Sequence, residues 1–214
     1  MDKLLKGIQH FREEGYEAHK ELFRELKDVQ KPHTLFITCS DSRIDPNLIT
    51  GTLPGELFIV RNIANIVPPY REWADYAGTT SAVEYAVLAL GVENIILCGH
   101  SNCGGCAAGL DPEGRLERLP HTRKWLELIR PVSDRIVREF SGEEDGVRHL
   151  LMEQANVVLQ LKNLMSYPYI REGVASGRLQ LSGWHYIIET GEVFIYDSQR
   201  GAFTAAGSVA EKEG

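Results

Sequence analysis

Apolar residues recur along this chain in two rhythms, and the change from one to the other marks its elements. Leu4, Ile8 and Phe11, then Leu22, Leu26 and Val29, fall at three- and four-residue steps, which predicts two amphipathic helices broken near Gly15. After Lys31-Pro32 the run Thr34-Leu35-Phe36-Ile37-Thr38 is β-rich and ends abruptly in the polar string Cys39-Ser40-Asp41-Ser42-Arg43, as a strand does when it delivers a loop. Two more runs are built alike: Glu56 to Val60, behind the turn signal Pro54-Gly55, and Asn94 to Cys98, ahead of Gly99-His100-Ser101-Asn102-Cys103. Between them Ser81-Ala82-Val83-Glu84 is a capping-box pattern that predicts a helix reaching about Leu90. Helical periods return over Thr122 to Glu139 and Gly146 to Leu164, with Gly142-Glu143-Glu144-Asp145 as a solvated loop between, and Leu179 to Glu189 with Val193 to Asp197 read as a hairpin around Thr190-Gly191.

Strand, helix and strand at these lengths imply a parallel crossover, so both polar strings emerge at one edge of one parallel sheet, where open α/β sheets place ligands. The expected fold is therefore α/β, with a mainly parallel central sheet flanked by helices and a C-terminal hairpin extending the sheet. With no internal repeat and no low-complexity linker, residues 1–214 read as a single domain, residues 1–30 as a helical arm and residues 205–214 as a mobile tail.

Composition narrows the chemistry. Hydrophobic residues make up 43% of the chain, which excludes disorder and leaves material for a core. The 23 Lys and Arg against 30 Asp and Glu give a net charge of −7, which repels a phosphate backbone and argues against nucleic-acid binding. No stretch approaches the ~20 apolar residues of a membrane helix, and the first thirty residues are charged throughout, so the expected address is the cytoplasm, with no membrane partner. Four cysteines are present, and Cys98, Cys103 and Cys106 lie within nine residues, a spacing that suits a metal or reactive site better than a disulfide frame.

His100-x-x-Cys103 offers a nitrogen and a soft thiolate within one turn, and Cys39 adds a second thiolate from the neighbouring strand end. The three make a zinc site with one tetrahedral position left for water or substrate, the mark of catalytic rather than structural zinc. Asp41 and Arg43 sit two and four residues beyond Cys39, where the guanidinium can fork onto the carboxylate and keep it ionised. That carboxylate either orients a nucleophile beside the metal or takes the fourth zinc position itself. Two other readings stay open on these residues alone: a redox dithiol at Cys103-Gly104-Gly105-Cys106, and a closed structural knuckle of Cys98, His100, Cys103 and Cys106.

The set as a whole resembles the β-class carbonic anhydrases. The resemblance is carried in order by Cys39-Ser40-Asp41-Ser42-Arg43, Pro54-Gly55-Glu56, Arg61-Asn62-Ile63-Ala64-Asn65 and Gly99-His100-Ser101-Asn102-Cys103-Gly104-Gly105, with a weaker echo in Gly183-Trp184-His185-Tyr186. Tyr76-Ala77-Gly78-Thr79 before Glu84-Tyr85-Ala86-Val87 looks closest to the plant-type branch.

The resemblance implies a lyase that reversibly hydrates CO2 to bicarbonate and a proton by attack of zinc-bound hydroxide. It implies one Zn2+ per chain on Cys39, His100 and Cys103, catalytic roles for Asp41 and Arg43, and Asp41 as the alternative fourth ligand of a closed state. Substrate contacts map to Gln30, Phe58, Ile63, Tyr85 and the backbone N–H of Gly104. The working unit would be a homodimer, or a dimer of dimers, with the N-terminal helices extending onto the partner subunit. Two departures matter. Phe36 stands where a bicarbonate-regulated subset, to which Arg61 and Tyr186 correspond, carries Trp, so the expected resting site is open. Ala89 stands where plant-type relatives carry a His suspected of shuttling protons.

Overall fold

A computed structural model of the chain describes residues 1–72 and 77–208. Six strands form one sheet in the order β2-β1-β3-β4-β5-β6. The strands β1 (Thr34–Cys39), β2 (Leu57–Asn62), β3 (Asn94–His100) and β4 (Gln180–Tyr186) pair in parallel, while β5 (Val193–Asp197) and β6 (Ala202–Ala205) add antiparallel. The mainly parallel α/β sheet with its C-terminal antiparallel extension is thus the one expected, although β6 had no signal in the sequence.

Burial follows position in the sheet. Every residue of β1 is buried, because helices cover both faces of a central parallel strand. The edge strand β2 is mostly half-buried or exposed. The helices are, in chain order, α1 (Asp2–His10), α2 (Tyr16–Ala18), α3 (Lys20–Leu26), α4 (Pro46–Thr50), α5 (Ala77–Glu84), α6 (Gly104–Leu110), α7 (Pro112–Arg115), α8 (Pro120–Leu126), α9 (Arg130–Glu139), α10 (Asp145–Met165) and α11 (Pro168–Ala175). On one side Val157 and Leu164 of α10 and Ile170 of α11 pack with Leu35, Ile37, Ile95 and Leu97. A second cluster joins Ile66, Cys106, Leu126, Ile129, Ile136 and Met152 beside the strand ends. The helix α10 sits tightly on the sheet because two strands present glycine under it. A Cβ at Gly99 would lie 2.7 Å from Val157 Cγ2, and one at Gly183 2.9 Å from Val157 Cγ1.

Several helix boundaries differ from the sequence reading. The first helix does not break at Gly15: it continues through a π-turn at Phe11–Gly15 into α2, and the break falls at His19, with φ −121° and ψ 21°. Gly15 instead admits the Phe11 ring, whose Cδ2 would stand 3.1 Å from a Cβ there. Helix α5 spans Ala77–Glu84, so Ser81 lies inside it and back-bonds through its hydroxyl to the Gly78 carbonyl at 3.1 Å instead of capping. The span expected as one helix over 122–139 is divided by a 3-10 turn at Glu127–Ile129, and Pro131, in the first turn of α9, has no N–H to continue the ladder.

The N-terminal arm buries nothing of its own. Among α1 to α3 no residue is buried, and Leu4 is 67% and Ile8 59% exposed. At the other end, Ala205 closes β6 opposite Phe194 and Ala206–Ser208 form a 3-10 turn. Residues 209–214 and Tyr76 of the plant-type stretch lie outside the described residues.

Candidate metal centre

The strands β1 and β3 run parallel and in register, Thr38 opposite Cys98, so Cys39 and His100 leave the sheet at the same edge. Beyond His100 the chain reverses through Asn102, whose φ of 55° is one of the left-handed values that Asn tolerates. Cys103 then stands at the N-cap of α6. The tight αL turn is what returns a second sulfur toward the first. Cys39 Sγ and Cys103 Sγ are 4.0 Å apart, and one donor atom from each of Cys39, His100 and Cys103 lies within 4.8 Å of the others. All three side chains are buried, and all four cysteines are free thiols.

This arrangement fits zinc on three counts. Two sulfurs bound at about 2.3 Å to a tetrahedral ion stand about 3.8 Å apart, close to the separation seen. His100 Nδ1 is 3.0 Å from the Ser101 carbonyl oxygen, to which it donates, so the Nε2 lone pair is free. That Nε2 is buried with no hydrogen-bond partner among the described residues, an orphan that a metal would satisfy. Without a cation both thiols hold their protons: the Cys103 thiol and burial push Cys39 up to about 12, and Cys103 is raised by its contact with Cys106 and by burial. A cation reverses this, because a coordinating thiol is deprotonated outright.

The carboxylate of Asp41 stands beside the cluster without joining it, its Oδ2 4.0 Å from His100 Nε2. Arg43 holds it by a fork, Nε donating to Oδ1 at 2.9 Å and Nη2 to Oδ2 at 2.7 Å, while the Arg43 backbone N–H adds a bond to Oδ1 at 3.0 Å. These bonds keep the carboxyl well below the usual carboxylate range. The same guanidinium reaches the Asn102 carbonyl at 3.1 Å and so ties the two metal-bearing loops together. Arg61 braces the first loop, donating to the carbonyls of Cys39 (3.1 Å), Asp41 (2.6 Å) and Ile44 (2.8 Å). Phe36, at the position expected to carry Trp in the regulated subset, stacks edge-on against Trp184 at 5.9 Å.

The remaining residues singled out in the sequence are not brought into one enclosed pocket. Phe58 meets Tyr85 with ring centroids 6.1 Å apart, Ile63 and Tyr85 are 41% and 49% exposed, Gln30 is exposed at the end of the arm and Gly104 faces open space. Cavities of about 570 Å3 and about 660 Å3 lie elsewhere, the first against α8 and α9, the second between α9, α10 and β6. Neither is lined by a donor of the cluster. Cys98 points away from it into the core, fully buried with its thiol on the Gly99 carbonyl, so the four-ligand knuckle has no geometric support. Cys106 takes a bond from Asn156 Nδ2 at 3.7 Å.

One feature of the site was missed in the sequence. Glu153, Asn156, Gln160 and Asn163 form a polar stripe on the inner face of α10, the first three fully or almost fully buried. Asn156 donates to the Ala64 carbonyl at 2.9 Å, Gln160 accepts the Val67 N–H at 2.9 Å and Asn163 donates to the Val67 carbonyl at 2.8 Å, fixing the chain that follows β2. Glu153 accepts the N–H of Cys103 itself. Their spacing of three and four residues was the only available signal, and it is the spacing of a solvated helix face too.

A family model described as "Carbonic anhydrase" matches residues 34–193. A curated protein of that name from Helicobacter pylori is 44% identical over 195 residues, 89% of this chain and 88% of its own. Among solved structures, the β-carbonic anhydrase CcaA superposes with a TM-score of 0.91 at 41% identity, covering 96% of this chain and 91% of that one. One of two tetrameric β-carbonic anhydrases from Sordaria macrospora superposes with a TM-score of 0.82 at 34% identity, over 95% and 98% of the two chains.

Proposed function

The chain belongs to the β-class carbonic anhydrases, enzymes that use zinc to interconvert CO2 and bicarbonate, and from that premise we propose how its residues divide the reaction. Cys39, His100 and Cys103 would hold one zinc ion per chain, a three-donor set that leaves room for water or substrate. When bound, the ion would supply Lewis acidity that lowers the pKa of water toward neutrality, with two thiolates leaving it on the alkaline side. The observation that carries the reading is the Arg43 fork, which presents an ionised Asp41 beside the three donors while holding it off them.

Asp41 accepts a hydrogen bond from the attacking hydroxyl and so aims the hydroxyl lone pair at the carbon of CO2. As the new C–O bond forms, one C=O electron pair moves onto oxygen, which gives bicarbonate. The proton lost when water became hydroxide leaves to solvent. Arg43 keeps Asp41 in the accepting state and rotamer, and Arg61 holds the loop that carries both. Phe58, Ile63 and Tyr85 form the apolar wall for CO2, Gln30 reaches it from the arm, and the Gly104 N–H faces the product anion.

A single subunit leaves that wall open and the arm uncovered, which a second copy of the chain would close in a homodimer or a dimer of dimers. Residues 1–214 form one domain, with residues 1–30 as the arm that embraces the partner. The sequence stretch Tyr76-Ala77-Gly78-Thr79 before Glu84-Tyr85-Ala86-Val87 supports a place in the plant-type branch. Four free thiols suit a reducing compartment such as the cytoplasm, and no described helix is long and apolar enough to cross a membrane.

Stopped-flow CO2 hydration with parallel metal analysis tests the core of the reading. Cys39→Ser and Cys103→Ser are expected to lose zinc and activity together, and Cys106→Ser to keep both. Full zinc in the Cys39 variant would overturn the ligand set.

A further inference from the structure

A buried acid and imidazole touch the metal centre without belonging to its donors. Glu153, on α10, is 3% exposed and His185, on β4, is fully buried. Glu153 Oε1 accepts the Cys103 N–H at 3.0 Å, and Glu153 Oε2 lies 3.1 Å from His185 Nε2. A carboxylate in a helix–sheet interface is costly unless its oxygens are all engaged, and here one engages a metal ligand and the other a histidine. His185 sits opposite Gly99 in the β3–β4 register, next to His100, in the Gly183-Trp184-His185-Tyr186 block for which the reaction itself has no use. Its Nδ1 is buried with no hydrogen-bond partner among the described residues. A lone pair there, with the proton on Nε2 donated to Glu153, avoids setting the Nε2 lone pair against the carboxylate.

We propose that Glu153 and His185 are positioning residues for the metal centre, Glu153 acting on Cys103 and His185 acting through Glu153. Cys103 follows the left-handed Asn102 and caps α6 with φ −70° and ψ 115°, so its peptide plane is set at a turn and not by a regular ladder. The bond that the Cys103 N–H donates to the Glu153 carboxylate fixes that plane, and with it the direction of the Cys103 Sγ toward Cys39 and His100. His185, on the other carboxylate oxygen, holds the group where it reaches the Cys103 amide. The inference rests on Cys103 being a zinc ligand.

The test compares zinc dissociation constants, by chelator competition on protein verified as folded, together with spectra of the cobalt-substituted forms. Glu153→Leu and His185→Leu are each expected to weaken zinc binding about 10- to 100-fold and to shift the sulfur-to-cobalt charge-transfer bands. The double variant is expected to be no worse than Glu153→Leu alone, since His185 acts only through Glu153. His185→Gln, which keeps an N–H for the carboxylate, should bind zinc as the native protein does. Glu153→Gln, a neutral and weaker acceptor, should lose about threefold to tenfold. This pair decides the matter if the Leu variants do not fold. Native affinity and spectrum in folded Glu153→Gln would overturn the proposal, as would losses that multiply in the double Leu variant, the result expected of two independent structural roles. Native zinc affinity in Cys103→Ser would instead sink the ligand reading beneath it.

Discussion

Removing a proton from each metal-binding thiol is part of loading this site, and the size of that coupling follows from the structure. Burial and the neighbouring thiols push Cys39 up to about 12 and raise Cys103 as well. Near neutral pH the metal-free protein therefore carries both as S–H, whereas the zinc-bound protein carries both as thiolates. Both pKa values are raised in the free state, so protons compete with zinc and affinity must rise with pH. Two thiol protons displaced per ion mean about a 100-fold fall in the zinc dissociation constant per pH unit, or about 2.7 kcal/mol, at 1.36 kcal/mol for each proton. Ionisation of water at the open position adds up to one proton more only as the pH rises above about 7, since two thiolates leave the ion less acidifying than three histidines do, so the thiol protons are counted cleanly below that range. Below that range the native protein should release at least two protons for each zinc ion bound. Isothermal titration calorimetry in buffers of differing ionisation enthalpy counts these protons directly, and chelator competition at several pH values gives the slope. Release of one proton or fewer there would refute the argument, because it would mean that one of the two cysteines either is no ligand or is already a thiolate before zinc arrives.

Three further outcomes are expected. Asp41→Asn, which cannot act as an ionised acceptor, should retain one zinc and lose about 10²- to 10⁴-fold in kcat; native turnover in stopped-flow assays would remove Asp41 from the chemistry. Tyr85→Ala strips the ring that meets Phe58 at 6.1 Å and lies outside the metal donors, so it should lower turnover without loss of zinc, and a fully active monomer in a size-exclusion dilution series would break the case for a pocket closed by a second copy. Gly99→Ala places a Cβ 2.7 Å from Val157 Cγ2, and because α10 and β3 are both pinned there the overpacking should cost about 1 to 3 kcal/mol. An unchanged denaturation midpoint would show that α10 shifts freely.

The division between what was legible and what was not runs along particular residues. Cys39, His100 and Cys103 could be found in the sequence because each follows an apolar run at a strand's end, and parallel strands of similar length must deliver their loops to the same edge. The pairing of Asp41 with Arg43 is local, two residues apart, and needs no tertiary partner. The sheet's parallel part was likewise readable from alternating strand and helix periods. Helix breaks were not, since Gly15 and Ser81 carry ordinary breaking and capping signals that packing overrode: the Phe11 ring settles on Gly15, and Ser81 lies inside a helix that starts earlier.

Arg61 shows the same limit at the site. Its motif could be matched to an anion-binding role, yet only the folded loop reveals that its guanidinium is occupied by three backbone carbonyls. Glu153, Asn156, Gln160 and Asn163 show it most plainly, because polar residues three and four apart on a helix look alike whether water or a backbone waits opposite them. Periodicity by itself determines which residues share a face. Which face is covered, and whether a buried acid there finds an amide to hold, depends on segments about 50 to about 90 residues away in the chain, and only the tertiary structure brings those amides and carbonyls within hydrogen-bonding reach.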